Sequence, residues 1–360
     1  MFEGLVHHQV YGYLERNGLL KDVQSGFRKN RSTQDILLGT VDDWKTALDQ
    51  GQDVAAVIIR IDLSKAFDTV NHTMLIDKLQ PYGIQAGELQ WFSNYLSNRK
   101  QRVVMDGAVS DWTGVTKGVP QGSILGPLLF VLFMNDLRDV VHSCSIGLYA
   151  DNIMLYASHS DPAHLSDIVE KDLNNISMWI KSNGLKMNVA KTQLMVLNRK
   201  RKGNKAEQIK IEIDGTGLSK QSSVKYLGVH IDKDLTWKTH MNHLRQTCLA
   251  RLAITRRASH HLPCHIRKLL YQTFVLPNLD YCLVVLHSCG VMLSNTLQGI
   301  PCNVLLNIIS YMHKIRGPSH FQSIIKSQAT TTYTNMSGGL AVYTLPERAT
   351  GHLSLVLHST

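Results

Sequence analysis

At 360 residues, 44% of them apolar and 18% charged, the chain has an ordinary globular composition and enough apolar surface for a sizeable core. A net charge of +10 and a pI near 9.3 point to a polyanionic partner, with nucleic acid the first candidate. Met1 to Leu20 mixes apolar residues with His7, His8, Glu15 and Arg16 and does not read as a signal peptide, while the longest apolar run, near Ile124 to Met134, falls short of the roughly 20 residues a bilayer demands. An intracellular protein, in nucleus and/or cytoplasm and not in a membrane, is therefore expected. Its six cysteines lack C-x-x-C pairing and His/Cys metal spacing, as reduced buried thiols would.

In chain order, Leu5 to Leu20 has helical apolar spacing with Gly18 as its stop. Asp35 to Asp49 reads as a second helix, with Ile36, Leu37, Val41, Trp44 and Leu48 along one side. The β-branched run from Val57 predicts a buried strand ending at Asp62. Helices follow at Met74–Leu79 and Leu89–Leu96, then a hairpin around Asp106-Gly107. Gly118 to Gly126 is a glycine-rich loop, and Pro127 suits the first turn of a helix running to Leu137. Ser145 to Tyr156 holds two apolar runs around Ala150-Asp151-Asn152, a composition suited to a tight hairpin that lifts Asp151 to its tip.

Asp161-Pro162 opens a long helix whose core face is Leu165, Ile168, Val169, Leu173, Ile176, Trp179 and Ile180, with Gly184 at its end. Gln193–Leu197, Ile209–Ile213 and Val224–Ile231 alternate as strands, and a basic cluster, Arg199 to Lys205, separates the first two. That cluster reads equally as a nucleic-acid patch, a nuclear address or a solvated loop. From Leu235 helices take over, lined by Lys238, Arg245, Arg251, Arg256, Arg257, Arg267 and Lys268, and from Thr330 the chain is Ser/Thr/Gly-rich.

One carboxylate cannot hold a hard divalent cation in a useful geometry; a second has to arrive from elsewhere. Asp62 and Asp151, delivered by adjacent strands toward a pair of Mg²⁺ ions, would form the core of a nucleotidyl-transfer site. Around them stand Gly26-Phe27-Arg28 with Arg31-Ser32-Thr33, Asp62 to His72, Gly118-Val119-Pro120-Gln121-Gly122-Ser123 to Pro127, Tyr149-Ala150-Asp151-Asn152, Gly184-Leu185-Lys186-Met187-Asn188 with Lys191-Thr192, and Tyr226-Leu227-Gly228. This ordered set, spanning roughly residues 1 to 310, resembles the reverse transcriptase of non-LTR, LINE- or jockey-like retrotransposons.

The resemblance implies an α+β right-hand polymerase: partial fingers at 1–50, an antiparallel-sheet palm with finger insertions at 51–232, a helical thumb at 233–310, and an unmatched, partly disordered tail at 311–360. It implies RNA-directed DNA synthesis from dNTPs on an RNA template and DNA primer, with two Mg²⁺ ions, Mn²⁺ being an alternative. Catalytic roles fall to Asp62, Asp151 and Asn152, and metal contacts to Asp62, Asp151 and Leu63. Phe67, Ala66, Gln121, Gly122, Arg28 and Lys191 would contact substrate. Phe67 would exclude a 2′-hydroxyl, and Lys191 would protonate the leaving pyrophosphate. Tyr226, Leu227 and Gly228 would contact the primer. Two departures matter: the family usually has Asp-Asp where this chain has Asp151-Asn152, and this sequence begins after the place of the family's upstream Trp-Arg-Pro-Ile segment, so the resemblance carries the expectation of an N-terminally truncated copy. The competing readings are a decayed copy that binds nucleic acid without catalysis and an RNA-templated RNA polymerase.

Overall fold

The structure is a computed structural model that describes residues 2–60, 67–198, 207–258 and 262–282. Asp62, Leu63 and Ala66, the 199–205 basic cluster and everything after Cys282 lie outside the described residues.

A four-stranded antiparallel sheet organises the chain, in the order β6 (Ser145–Tyr149), β7 (Asn152–His159), β1 (Asp53–Arg60), β8 (Gln193–Leu197). Along β1 the side chains alternate between two separate cores. Ala55, Val57 and Ile59 join the larger one, with α5 (Leu125–Met134) and α6 (Pro162–Ser182). Val54, Ala56 and Ile58 join the smaller one, beneath α2 (Thr33–Asp49) and the hairpin β11 (Ser223–Tyr226)–β12 (Val229–Asp232). Burial on both faces explains why β1 reads as a continuous apolar run.

Local chemistry fixes the helix boundaries. Ser32 caps α2 through a reciprocal capping box with Asp35, and Asp161 caps α6 ahead of Pro162. All seven apolar positions expected on α6 pack in or against the larger core. The first helix, α1 (Phe2–Arg16), stops earlier than its apolar spacing suggests, with Gly18 at φ +61° just beyond. Helices α3 (His72–Leu79) and α4 (Ala86–Leu96) fall as expected.

After α4 comes an arm of short paired strands, β2 (Arg99–Gln101) with β5 (Thr113–Val115) and β3 (Val104–Met105) with β4 (Ala108–Val109), turning at Asp106-Gly107. Two strand expectations change. Val224–Ile231 is two strands, because Leu227 and Gly228 turn at positive φ (45° and 82°). Of Ile209–Ile213, only Glu212–Ile213 is a strand (β9), paired with β10 (Thr216–Gly217), although Ile209 and Ile211 are buried.

Helices α7 (Lys238–Ala258), α8 (Cys264–Phe274) and α9 (Leu276–Asp280) complete the described chain. Lys238, Arg245, Arg256, Arg257, Arg267 and Lys268 are exposed on them, whereas Arg251 is half-buried and donates to the Phe274 carbonyl at 2.8 Å. Cys144, Cys248 and Cys282 are free and buried. Among the described residues no helix is long and apolar enough to cross a membrane.

Candidate active site

The β6–β7 hairpin closes on the pair Tyr149↔Asn152, leaving Ala150 and Asp151 as a two-residue turn. Ala150 has φ +55°, and Asp151 is not among the positive-φ residues. That sign pattern is the one of a type II′ turn, which ordinarily takes glycine at its first position. The turn places Asp151 at the tip, as its sequence suggests, with only 5% of its surface exposed. The Asn152 amide sits beside it, Nδ2 lying 3.5 Å from Asp151 Oδ1. Arg60, the last residue of β1, pairs with Asn152. The chain therefore leaves the sheet opposite this turn, two residues before Asp62.

The turn is gripped from the N-terminal side. Residues 23–25 add an edge to β6: Ser25 N–H donates to the Leu148 carbonyl and Leu148 N–H to the Val23 carbonyl, both at 2.8 Å. Gly26 lies against the turn so closely that a Cβ there would sit 2.2 Å from Ala150 N. Arg28 is bound within the chain: Nε and Nη2 meet the Glu15 carboxylate at 3.1 and 2.9 Å, and Nη1 donates to the Lys21 carbonyl at 2.8 Å. Its guanidinium holds the Glu15 carboxyl below the usual carboxylate range, against the upward push of burial.

The segment that begins at Phe67 is stitched to the glycine-rich loop. Val119 N–H donates to the Phe67 carbonyl (2.8 Å), Gly118 N–H to the Val70 carbonyl (2.7 Å), and Gln121 Nε2 to Asp68 Oδ1 (2.8 Å). His72 Nε2 lies 2.7 Å from the Gly118 carbonyl. Gly118 has φ +90°, and a Cβ there would come within 2.7 Å of Asp68 Cα. Gly122 is also left-handed, at φ +79°. The Phe67 ring stacks on Phe130, centroids 4.2 Å apart, and meets the edge of Phe27 at 6.0 Å. These rings join the loop that carries Gly26 to the Phe67–Gln121 side.

Lys191 is exposed, in a 3₁₀ turn (Val189–Lys191) beside β1. Tyr226 is buried in the smaller core, the Leu227 carbonyl accepts from the Tyr281 hydroxyl at 2.7 Å, and a Cβ on Gly228 would meet the Tyr281 ring at 3.0 Å. Sequence reasoning missed Gln24, Glu15 and Tyr281. Each acts through long-range side-chain bonds, which leave no periodic signal.

The carboxylate of Asp151 and the amide oxygen of Asn152 are hard oxygen donors, the type Mg²⁺ takes. Among the described residues no group of three or more acidic, His or Cys side chains converges as a metal site.

Residues 5–231 match the model of the reverse transcriptase (RNA-dependent DNA polymerase) family. The chain belongs to that family. It is 29% identical over 265 residues to the probable RNA-directed DNA polymerase from transposon BS of Drosophila melanogaster, covering 70% of this chain and 28% of the relative. It is 25% identical over 295 residues to the RNA-directed DNA polymerase from mobile element jockey of Drosophila funebris, covering 79% and 31%. These matches bear out the resemblance to non-LTR, jockey-like reverse transcriptases. The chain spans less than a third of the length of either relative. A telomerase structure from Candida tropicalis, in complex with a TWJ fragment of telomeric RNA, aligns with TM-score 0.46 and 12% identity over 90% of this chain and 50% of that one. Reverse transcriptases generally use divalent metal ions, and the mixed helices and antiparallel sheet are consistent with a right-hand polymerase.

Proposed function

We propose that this chain is the polymerase portion of an RNA-directed DNA polymerase that extends a DNA primer on an RNA template. The observation that carries the reading is the β6–β7 turn, which presents Asp151 and Asn152 opposite the end of β1 inside the family match. In this reading residues 1–50 serve as partial fingers, 51–232 as palm and 233–310 as thumb.

Asp62 and Asp151 would hold two Mg²⁺ ions, with Leu63 alongside and Asn152 offering a neutral oxygen beside them. The bound ions would supply charge stabilisation to the attacking and leaving oxygens of an in-line displacement at the dNTP α-phosphate. The residues of this chain do the rest. Phe67, braced by Phe130 and Phe27, walls the sugar and excludes a 2′-hydroxyl, with Ala66 next to it. Gln121, anchored to Asp68, and Gly122 face the nascent pair. Lys191 protonates the leaving pyrophosphate. The Tyr226-Leu227-Gly228 turn, steadied by the Tyr281 hydroxyl, bears on the primer. Exposed cations of α7 and α8 follow the duplex backbone through phosphate contacts that carry no sequence information. A phosphate contact by Arg28 requires its pair with Glu15 to open.

Primer extension on an RNA template, with Mg²⁺ and separately Mn²⁺, tests the reading. Metal-dependent dNTP incorporation is expected, falling about 10³-fold or more in Asp62→Asn while template binding persists. Binding without extension in either metal would make the chain a binding remnant, and preferential rNTP addition would make it an RNA polymerase.

A further inference from the structure

We propose that Gln24 is a positioning residue for the candidate metal site, its side-chain amide clamping the turn residue that precedes Asp151. The proposal rests on the reading of Asp151 as a metal-holding carboxylate.

Gln24 is polar yet only 1% exposed, and its amide is used at both ends. Oε1 accepts from the backbone N–H of Gly26 at 2.8 Å and of Ala150 at 3.0 Å, and Nε2 donates to the Ala150 carbonyl at 3.3 Å. One side chain thus satisfies both backbone groups of Ala150. Those groups belong to the two peptide planes flanking the first turn residue, and the second plane ends at Asp151 N. Holding both planes fixes the direction in which Asp151 leaves the turn.

The turn needs such a hold. Ala150 sits at φ +55°, a region disfavoured for any residue with a Cβ, in a turn position ordinarily given to glycine. A conformation of that kind persists only where surrounding structure over-determines it. The surroundings do so from two directions. Backbone bonds on both sides of Gln24 pin residues 23–25 to β6 at Leu148, and Gly26 leaves no space between the loop and Ala150. Behind the loop, Arg28, with its side chain 6% exposed, ties the Lys21 carbonyl to Glu15 of α1. Arg28 and Gly26 thereby act as parts of one brace whose contact with the turn is the Gln24 amide.

A residue that merely held the fold together would, on removal, lower the melting temperature and leave the site unchanged in the surviving folded molecules. A positioning residue changes metal affinity at nearly constant stability. Gln24→Met keeps the volume and removes both halves of the clamp. Gln24→Asn keeps an amide but is one methylene too short to span to Ala150, and it serves if the Met variant does not fold. In the full chain, hydrogen exchange at the Ala150 and Asp151 amides reports the clamp without metal. Mn²⁺ binding followed by electron paramagnetic resonance, with Asp151→Asn as control, reports the site without requiring polymerase activity.

The expected result is exchange at the turn at least about 10-fold faster and Mn²⁺ binding roughly 10-fold weaker in the Gln24 variant, with the melting temperature nearly unchanged, each factor of ten being about 1.4 kcal/mol. Unchanged turn exchange would overturn the clamp. Faster exchange with Mn²⁺ affinity within about twofold of the parent would overturn the positioning role. If parent and Asp151→Asn bind Mn²⁺ equally, the reading of Asp151 itself fails and takes the positioning role with it, an outcome told apart by the control alone.

Discussion

Asn152→Asp is the most informative substitution, because it restores the family's paired acids at a place where the structure gives the distance. Asn152 Nδ2 lies 3.5 Å from Asp151 Oδ1, so a carboxylate in its place loses a donor and gains a like charge at that range. Two unit charges about 3.5 Å apart repel by roughly 5 kcal/mol at an effective dielectric near 20. Asn152 is half-buried, so solvent screening reduces this to about 2 kcal/mol in the metal-free protein, with the apparent pKa of the acid pair raised. In a domain of this size that is a drop in melting temperature of roughly 3 °C. Millimolar Mg²⁺ should recover most of it, since the added acid serves the cation.

The same charge should raise primer extension in Mg²⁺ by roughly 10- to 1000-fold, or about 1.4 to 4 kcal/mol of transition-state stabilisation. Thermal melts with and without Mg²⁺, read beside extension of parent and variant, provide the test. A variant that melts lower, is not rescued by Mg²⁺ and extends no faster would refute the idea that position 152 faces the metals. Equal activity in parent and variant would show that the site works with one acid at the turn.

Phe67→Ala should raise ribonucleotide incorporation relative to deoxynucleotide, at a stability cost of about 2–3 kcal/mol for the lost stack on Phe130; an unchanged rNTP/dNTP ratio in an active variant would make Phe67 packing only. Asp172 is buried and accepts the N–H groups of His142, Ser143 and Cys144 at 2.7–3.2 Å, so Asp172→Asn should cost about 2–4 kcal/mol in denaturant melts, and a loss under about 0.5 kcal/mol would refute it. Burial would raise the Asp172 pKa, but those donors outweigh it and hold it below the usual value, so their stabilisation is present above about pH 4 and lost as pH falls through the depressed native pKa. His240, 2% exposed, is pushed down to about 4 by burial and by His230 and His243, so the neutral ring's contribution is complete above about pH 6.5 and drains away toward pH 4. Denaturant melts from pH 7 to 4 should lose up to roughly 3 kcal/mol that His240→Phe does not lose, and parallel slopes would refute the assignment.

Much of this was legible in the chain because it depends on local pattern. The α6 stripe, the run into β1 and the paired apolar segments around Ala150–Asn152 each encode their element through burial of one or both faces. The Asp106-Gly107 turn was equally plain. What the pattern could not carry was the supporting layer. Gln24 reaches Ala150 across 126 positions and Tyr281 reaches Leu227 across 54, and no periodicity marks either residue. Arg28 stood out as a cation beside Lys29 and Arg31, yet its partner Glu15 sits 13 residues back on α1, so its burial was invisible. The split of Val224–Ile231 turned on two residues at positive φ, one of them the non-glycine Leu227, which composition alone does not single out.

The glycines of the two loop motifs acquire a common physical meaning. Gly26 and Gly118 look like residues that let backbone approach a ligand, and such glycines are used that way in many sites. Here each is filled by another backbone: Ala150 for Gly26, and Asp68 for Gly118. Both partners are next to the acids and rings proposed to act, Ala150 before Asp151 and Asp68 after Phe67. The two motifs therefore hold the site together from outside, each loop pressing on the segment that bears the chemistry. An approach of 2.2 or 2.7 Å to backbone leaves no room for even one methyl group, so these positions are restricted whether or not the loop ever touches a substrate. A copy that had lost catalysis would still need both glycines to fold this way.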